Sequence, residues 1–168
     1  STKSYTFNNL TTNHTISAYL SISQIVMQLN MLDKCNMVSV PLTVTDYSKT
    51  TLFPTAVSEA IAYEAGYQQK TTLANGSGYW LKFSGAQSVS MTGFTRTTET
   101  IPVVEGWNMI GSISNPITPA QITSNPPGLV TSQFFGYDNG YYTATFIESG
   151  KAYWVKVSAS GTITLSSS

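Results

Sequence analysis

The chain has 168 residues, enough for one domain or two small ones, and long enough to bury roughly 70% of its unfolded surface unaided. Charged side chains make up only 10% and the formal net charge is zero, so no long-range field draws the chain to nucleic acid or to an anionic membrane. Hydrophobic residues at 41% and aromatics at 12% exclude a disordered chain, and the ten Tyr favour strands over helices.

In residues 1–23, Tyr5 and Phe7 alternate with polar residues, and so do Ile16, Ala18, Leu20 and Ile22. That period of two predicts two strands joined by a polar turn near residues 8–13. Residues 24–34 suit a strand through Ile25, Met27, Leu29 and Met31, and a helix through Ile25, Leu29 and Leu32. A second copy of this region decides the matter: residues 97–106 carry Pro102 opposite Asn30, and proline is costly inside a helix. A strand is predicted, with Pro102 at a sheet edge or a bulge. A core strand follows over residues 35–42 and again over 107–114. In the second copy Thr118-Pro119-Ala120-Gln121 combines a cap, a proline at the first helical position and a glutamine three after the cap, which predicts a short helix. Asn125-Pro126-Pro127-Gly128 ends it. In the first copy Asp46 as cap and Pro54 as breaker leave room for a turn or two. Hairpins then centre on Glu64-Ala65-Gly66 and Asp138-Asn139-Gly140, the Asn-Gly supplying positive φ.

The chain states its central stretch twice. Gly78-Tyr79-Trp80-Leu81-Lys82-Phe83 returns 74 residues later as Ala152-Tyr153-Trp154-Val155-Lys156-Val157. The hairpin from Tyr63 to Tyr67 matches Tyr137 to Tyr141, and Ser88-Val89-Ser90-Met91 matches Thr162-Ile163-Thr164-Leu165, at the same offset. Asn36-Met37-Val38 matches Asn108-Met109-Ile110 at an offset of 72. Matched blocks in one order indicate a tandem duplication. The expected fold is all-β: two homologous repeats of about five strands each, packed as a sandwich or barrel-like unit, with short helical turns in the connectors. The expected divisions are residues 1–23, 24–94 and 95–168, with roughly ten to twelve strands in all.

Gly106-Trp107-Asn108-Met109-Ile110-Gly111, then Gly140-Tyr141, then residues 150–157 carry a likeness. They resemble β-rich tandem repeats near the C-termini of large secreted Gram-negative proteins, often just before a type IX secretion sorting domain. The first copy departs from that pattern at Cys35, where Trp is expected, and at Asp33-Lys34, which replaces Glu105-Gly106. Residues 5–16 resemble the last strands of divergent InlB B-repeat modules. What these likenesses imply is export, an extracellular or cell-surface place, and an accessory structural role without an established activity.

Chemistry is sparsely supplied. The single histidine, His14, sits in the first predicted hairpin and reads as a surface residue. The eight carboxylates stand mostly beside glycines and turn formers, as solubilising positions do. Asp138 and Asn139 offer oxygens to calcium, without the spaced acidic series of an EF-hand loop. Cys35, in a core-strand position held by Trp107 in the other copy, reads as a small buried hydrophobe. No apolar run approaches the ~18 residues of a membrane span. The chain starts at Ser1 without a signal-peptide pattern, which reads as a mature or excised piece. No catalytic residue, metal site or cofactor is expected.

One constellation invites a ligand: Trp80 and Lys82, Trp154 and Lys156 share alternate strand positions, with Tyr67, Tyr141 and Tyr142 on the neighbouring hairpins. Exposed rings beside donors can stack on sugars or anchor a protein; the same tryptophans can equally cover the seam between the copies. The expected function is a non-catalytic structural or adhesive module of an exported protein. A carbohydrate-binding module, or a filament subunit that lends its N-terminal strands to a neighbour, are the alternatives. Expected partners are a glycan, a surface protein or another copy of the chain; nucleic acid and membrane insertion are not expected.

Overall fold

The computed structural model describes residues 23–167, so the strand pair expected at the N-terminus and His14 lie outside the described residues. The first copy supplies β1 (Ile25–Met31), β2 (Lys34–Ser39), β3 (Leu42–Thr43), β4 (Ala60–Tyr63), β5 (Tyr67–Lys70), β6 (Gly78–Phe83) and β7 (Gln87–Thr95). The second supplies β8 (Thr98–Val103), β9 (Gly106–Ile110), β10 (Thr123–Asn125), β11 (Phe135–Tyr137), β12 (Tyr141–Thr143), β13 (Tyr153–Val157) and β14 (Gly161–Ser166). They form four antiparallel sheets, ordered β1-β7-β3 and β2-β6-β4-β5 in the first copy, β10-β14-β8 and β12-β11-β13-β9 in the second. The fold is all-β and sandwich-like. Each copy has seven strands against the expected five or so; one of the extra strands in each, β3 or β10, spans only two or three residues, too short to show an alternation.

Each copy keeps its own core. Leu29, Val89 and Met91 from the three-stranded sheet meet Val38, Leu81 and Phe83 from the four-stranded one. Ile101, Ile163 and Leu165 meet Ile110, Val155 and Val157 in the same way. Alternation along β13 divides Tyr153, Val155 and Val157, all buried, from Trp154 and Lys156 on the other face. The phenols of Tyr79 and Tyr153 are buried, which pushes both above the ordinary tyrosine range. Each accepts a backbone N–H, from Ala74 at 2.8 Å and from Glu148 at 2.9 Å. Pro102 lies in β8, at the edge of its sheet, where its missing N–H costs no ladder bond.

The strand registers repeat as the sequence does. Met37 pairs with Trp80, and Met109 with Trp154. Met31 pairs with Gln87, and Val103 with Gly161. Tyr63 faces Tyr67 as Tyr137 faces Tyr141. The connectors differ more. Residues 49–52 form a single helical turn capped by Ser48 rather than Asp46; Asp46 instead accepts hydrogen bonds from the Thr51 and Ser48 side chains and the Ser48 N–H, which lower its pKa. In the second copy the expected helix is one 3-10 turn, Pro119–Gln121, with the Gln121 amide oxygen accepting the Thr118 N–H at 2.9 Å.

Two turns of the first copy hold residues ill suited to their backbone. Lys34 has φ 70° where its counterpart is Gly106 at φ 96°, and Ala65 has φ 52° where its counterpart is Asn139 at φ 53°. A side chain with a Cβ resists this region, and Gly and Asn enter it most easily. Lys34→Gly and Ala65→Asn should therefore each stabilise the protein by about 0.5–1 kcal/mol. The check is a higher urea midpoint with an unchanged slope.

The copies are joined about a pseudo-twofold axis, like an isologous dimer within one chain. Backbone bridges Val38 with Lys151 and Ser77 with Ile110 are related by it. So are the hydrogen bonds from Ser39 N–H to Gly150 O and from Gly111 N–H to Gly76 O, both 2.8 Å. At the centre Met37, Met109 and Ala152 are buried, with Tyr63, Trp80, Tyr137 and Trp154 packed around them. Trp80 meets Tyr137 edge-on at 4.9 Å, and Trp154 meets Tyr63 edge-on at 5.0 Å. Buried Ser39 and Ser112 satisfy each other across the axis at 2.9 Å, and Ser39 also donates to the Lys151 carbonyl.

Candidate functional site

The faces that carry Trp80 and Trp154 meet at the seam, so both tryptophans are half-buried there. Beyond the seam the outer face of the second copy stays open. Trp107 pairs with Lys156, Phe135 pairs with Trp154, and the Trp107 and Phe135 rings lie 6.0 Å apart. With Tyr63 and Tyr67 from the first copy and Trp154 and Tyr141 from the second, they line a groove of about 390 Å³. Trp107 is 43% exposed, Tyr141 60% and Tyr67 63%, unusual values for large rings gathered on one surface.

Of the residues singled out from sequence, Trp154, Tyr67 and Tyr141 come together in this groove. Lys156 is exposed opposite Trp107. Trp80 belongs to the seam, and Lys82 is exposed opposite Cys35. Tyr142 is turned to the other face of β12, against the core of the second copy. Its ring lies over Gly136, its partner across the strand pair, where an added Cβ would come within 2.5 Å of it. Its hydroxyl is buried, with no hydrogen bond of ordinary geometry among the described residues. Tyr142 thus fills a gap left by a strand glycine and faces away from the groove.

Cys35 corrects the sequence reading: it is exposed, not a buried hydrophobe. Met37, two residues on and on the same face, is buried at the axis; Cys35 lies one step outward, past the seam's edge. Trp107 relates to Met109 in the same way, so it is a groove residue rather than a core one. Sequence reasoning missed Trp107, Phe135 and Tyr63. The available signal was register: pairing the matched strands sets Trp107 opposite Lys156, on the Trp154 face.

Two polar crevices flank the seam and are themselves twins, one lined by Asp138 and Glu148, the other by Glu64 and Glu99. Three of those carboxylates are ion-paired, Glu148 with Lys151 at 2.8 Å, Glu64 with Lys70 at 2.7 Å, and Glu99 with Arg96. Among the described residues no group of three or more His, Cys, Asp and Glu is assembled, and no helix is long and apolar enough to cross a membrane. Comparison with protein-family models, curated proteins and solved structures finds no match to the chain.

Proposed function

We propose that the chain is a non-catalytic structural and adhesive module of an exported bacterial protein, working as one rigid body. The observation that carries this reading is the seam: two duplicated sandwiches share a buried cluster and paired backbone bonds about one axis. Two domains on a flexible linker would not hold a fixed relative orientation, whereas a fused pair does. The wording of the repeats supports an extracellular place, through their resemblance to repeats of secreted surface proteins.

Scanning calorimetry of the full chain should give one transition whose van't Hoff enthalpy equals the calorimetric one. Two transitions in the wild-type protein would overturn the rigid-body reading. Antibodies raised against the chain should label intact cells or the culture medium of the organism that encodes it; signal confined to lysates would overturn export.

A further inference from the structure

The duplication provides an internal control for the groove. Applying the pseudo-twofold axis to its lining carries Tyr63 to Tyr137, Tyr67 to Tyr141, and Trp154 to Trp80, so these positions are aromatic in both copies. Only two positions differ: Cys35 stands for Trp107, and Ile61 for Phe135. Registers are the same on both sides, Cys35 opposite Lys82 as Trp107 is opposite Lys156, and Ile61 opposite Trp80 as Phe135 is opposite Trp154. The backbone therefore accepts small or aliphatic residues at both places, and packing does not dictate the aromatic pair. The ring contacts differ as well. Tyr141 leans on Trp80 at 6.5 Å, while the corresponding contact of Tyr67 with Trp154 is absent among the described residues, leaving that side open.

From this asymmetry we infer that the groove of Tyr63, Tyr67, Trp107, Phe135, Tyr141 and Trp154 is a binding site for a neutral saccharide. No ionised side chain lines it, so an anion would lose hydration there without gaining a partner, and a cation would meet ring faces but no carboxylate. Lys156, opposite Trp107, further disfavours a cation. A pyranose ring has an apolar C–H face that suits an aromatic plane and hydroxyls at its rim that suit tyrosine hydroxyls and indole N–H groups. The groove is continuous with the seam through Tyr63 and Trp154, whose contact holds one wall in place. Its volume falls in the range of about 300–1,000 Å³ usual for ligand pockets, which often form where two domains meet. This inference goes beyond the rigid-body reading and fails separately from it, since one is read by ligand titration and the other by calorimetry.

The test titrates the full chain with cellohexaose, xylohexaose, mannohexaose and chitohexaose at millimolar concentration, following tryptophan fluorescence and binding heat. Decaproline and tetramethylammonium serve as the peptide and cation arms. At least one saccharide should saturate at one site per chain. Trp107→Ser and Phe135→Ile, which imitate the twin positions without adding a thiol, should each weaken it roughly tenfold or more while leaving the thermal midpoint within error. Failure of every saccharide to saturate would overturn the proposal. So would binding indifferent to both substitutions, or saturation by decaproline or tetramethylammonium alone.

Discussion

Met109→Asp is expected to lower the thermal midpoint by roughly 6–12 °C and to split the single unfolding transition into two. Met109 is buried at the pseudo-twofold axis, in a cluster made entirely of apolar and aromatic residues. A carboxylate there has no cation to meet, so it forces the copies apart or takes up a proton at a cost of about 3 kcal/mol or more. Each copy would survive the parting, because the buried set around Leu81 and Phe83 and that around Val155 and Val157 are separate clusters. Unfolding would then proceed copy by copy, with a van't Hoff enthalpy well below the calorimetric total. Met109→Leu, similar in volume, should cost less than about 1.5 kcal/mol and keep one transition. Met37→Asp, the symmetry mate, should behave like Met109→Asp. If Met109→Asp keeps one transition at the wild-type midpoint, the seam contributes nothing to cooperativity, and the rigid-body reading goes with it.

Much of the architecture was legible because duplication writes the same pattern twice. The Tyr-Trp strand announces its own alternation, and the second copy's Pro102 settles the strand at residues 24–34 when the first copy alone does not. Period two assigns residues to faces, but it does not say what each face meets. Trp107 and Met109 share a face, yet one is 43% exposed and the other 6%, because distance from the axis along the strand decides which is covered. That distance is a property of how the copies dock. The same gap explains Cys35: a Trp-to-Cys difference between copies suggests a smaller core residue only if the position is in the core. Tyr142 looked like a companion of Tyr141 from its place in the hairpin, and adjacency in a strand sends the two to opposite faces. The aromatic groove therefore emerges only from register and docking together, since its walls come from both copies.

The sharpest test of the axis itself is a pair of residues that meet their own counterparts. Gly78 and Ala152 hold equivalent positions, one at the start of β6 and one just before β13, and they face each other across the seam. A Cβ on Gly78 would lie 2.7 Å from both the Ala152 Cβ and the Met109 Cγ, and 3.0 Å from the Ile110 carbonyl oxygen. The backbone of Gly78 is not in the left-handed region, so conformation alone would favour alanine there by about 0.5–1 kcal/mol. Steric exclusion should reverse that sign: Gly78→Ala is expected to destabilise the protein by about 1–3 kcal/mol, read from urea denaturation. Gly78→Ala with Ala152→Gly removes the methyl-to-methyl contact while the Met109 and Ile110 contacts stay, so it should recover part of the loss. Ala152→Gly alone leaves a small void and should cost less than Gly78→Ala. The double-mutant cycle thus carries a coupling of about 1 kcal/mol or more. Additive effects would mean that the two positions do not touch, and a docking with Gly78 against Ala152 would then be the wrong one.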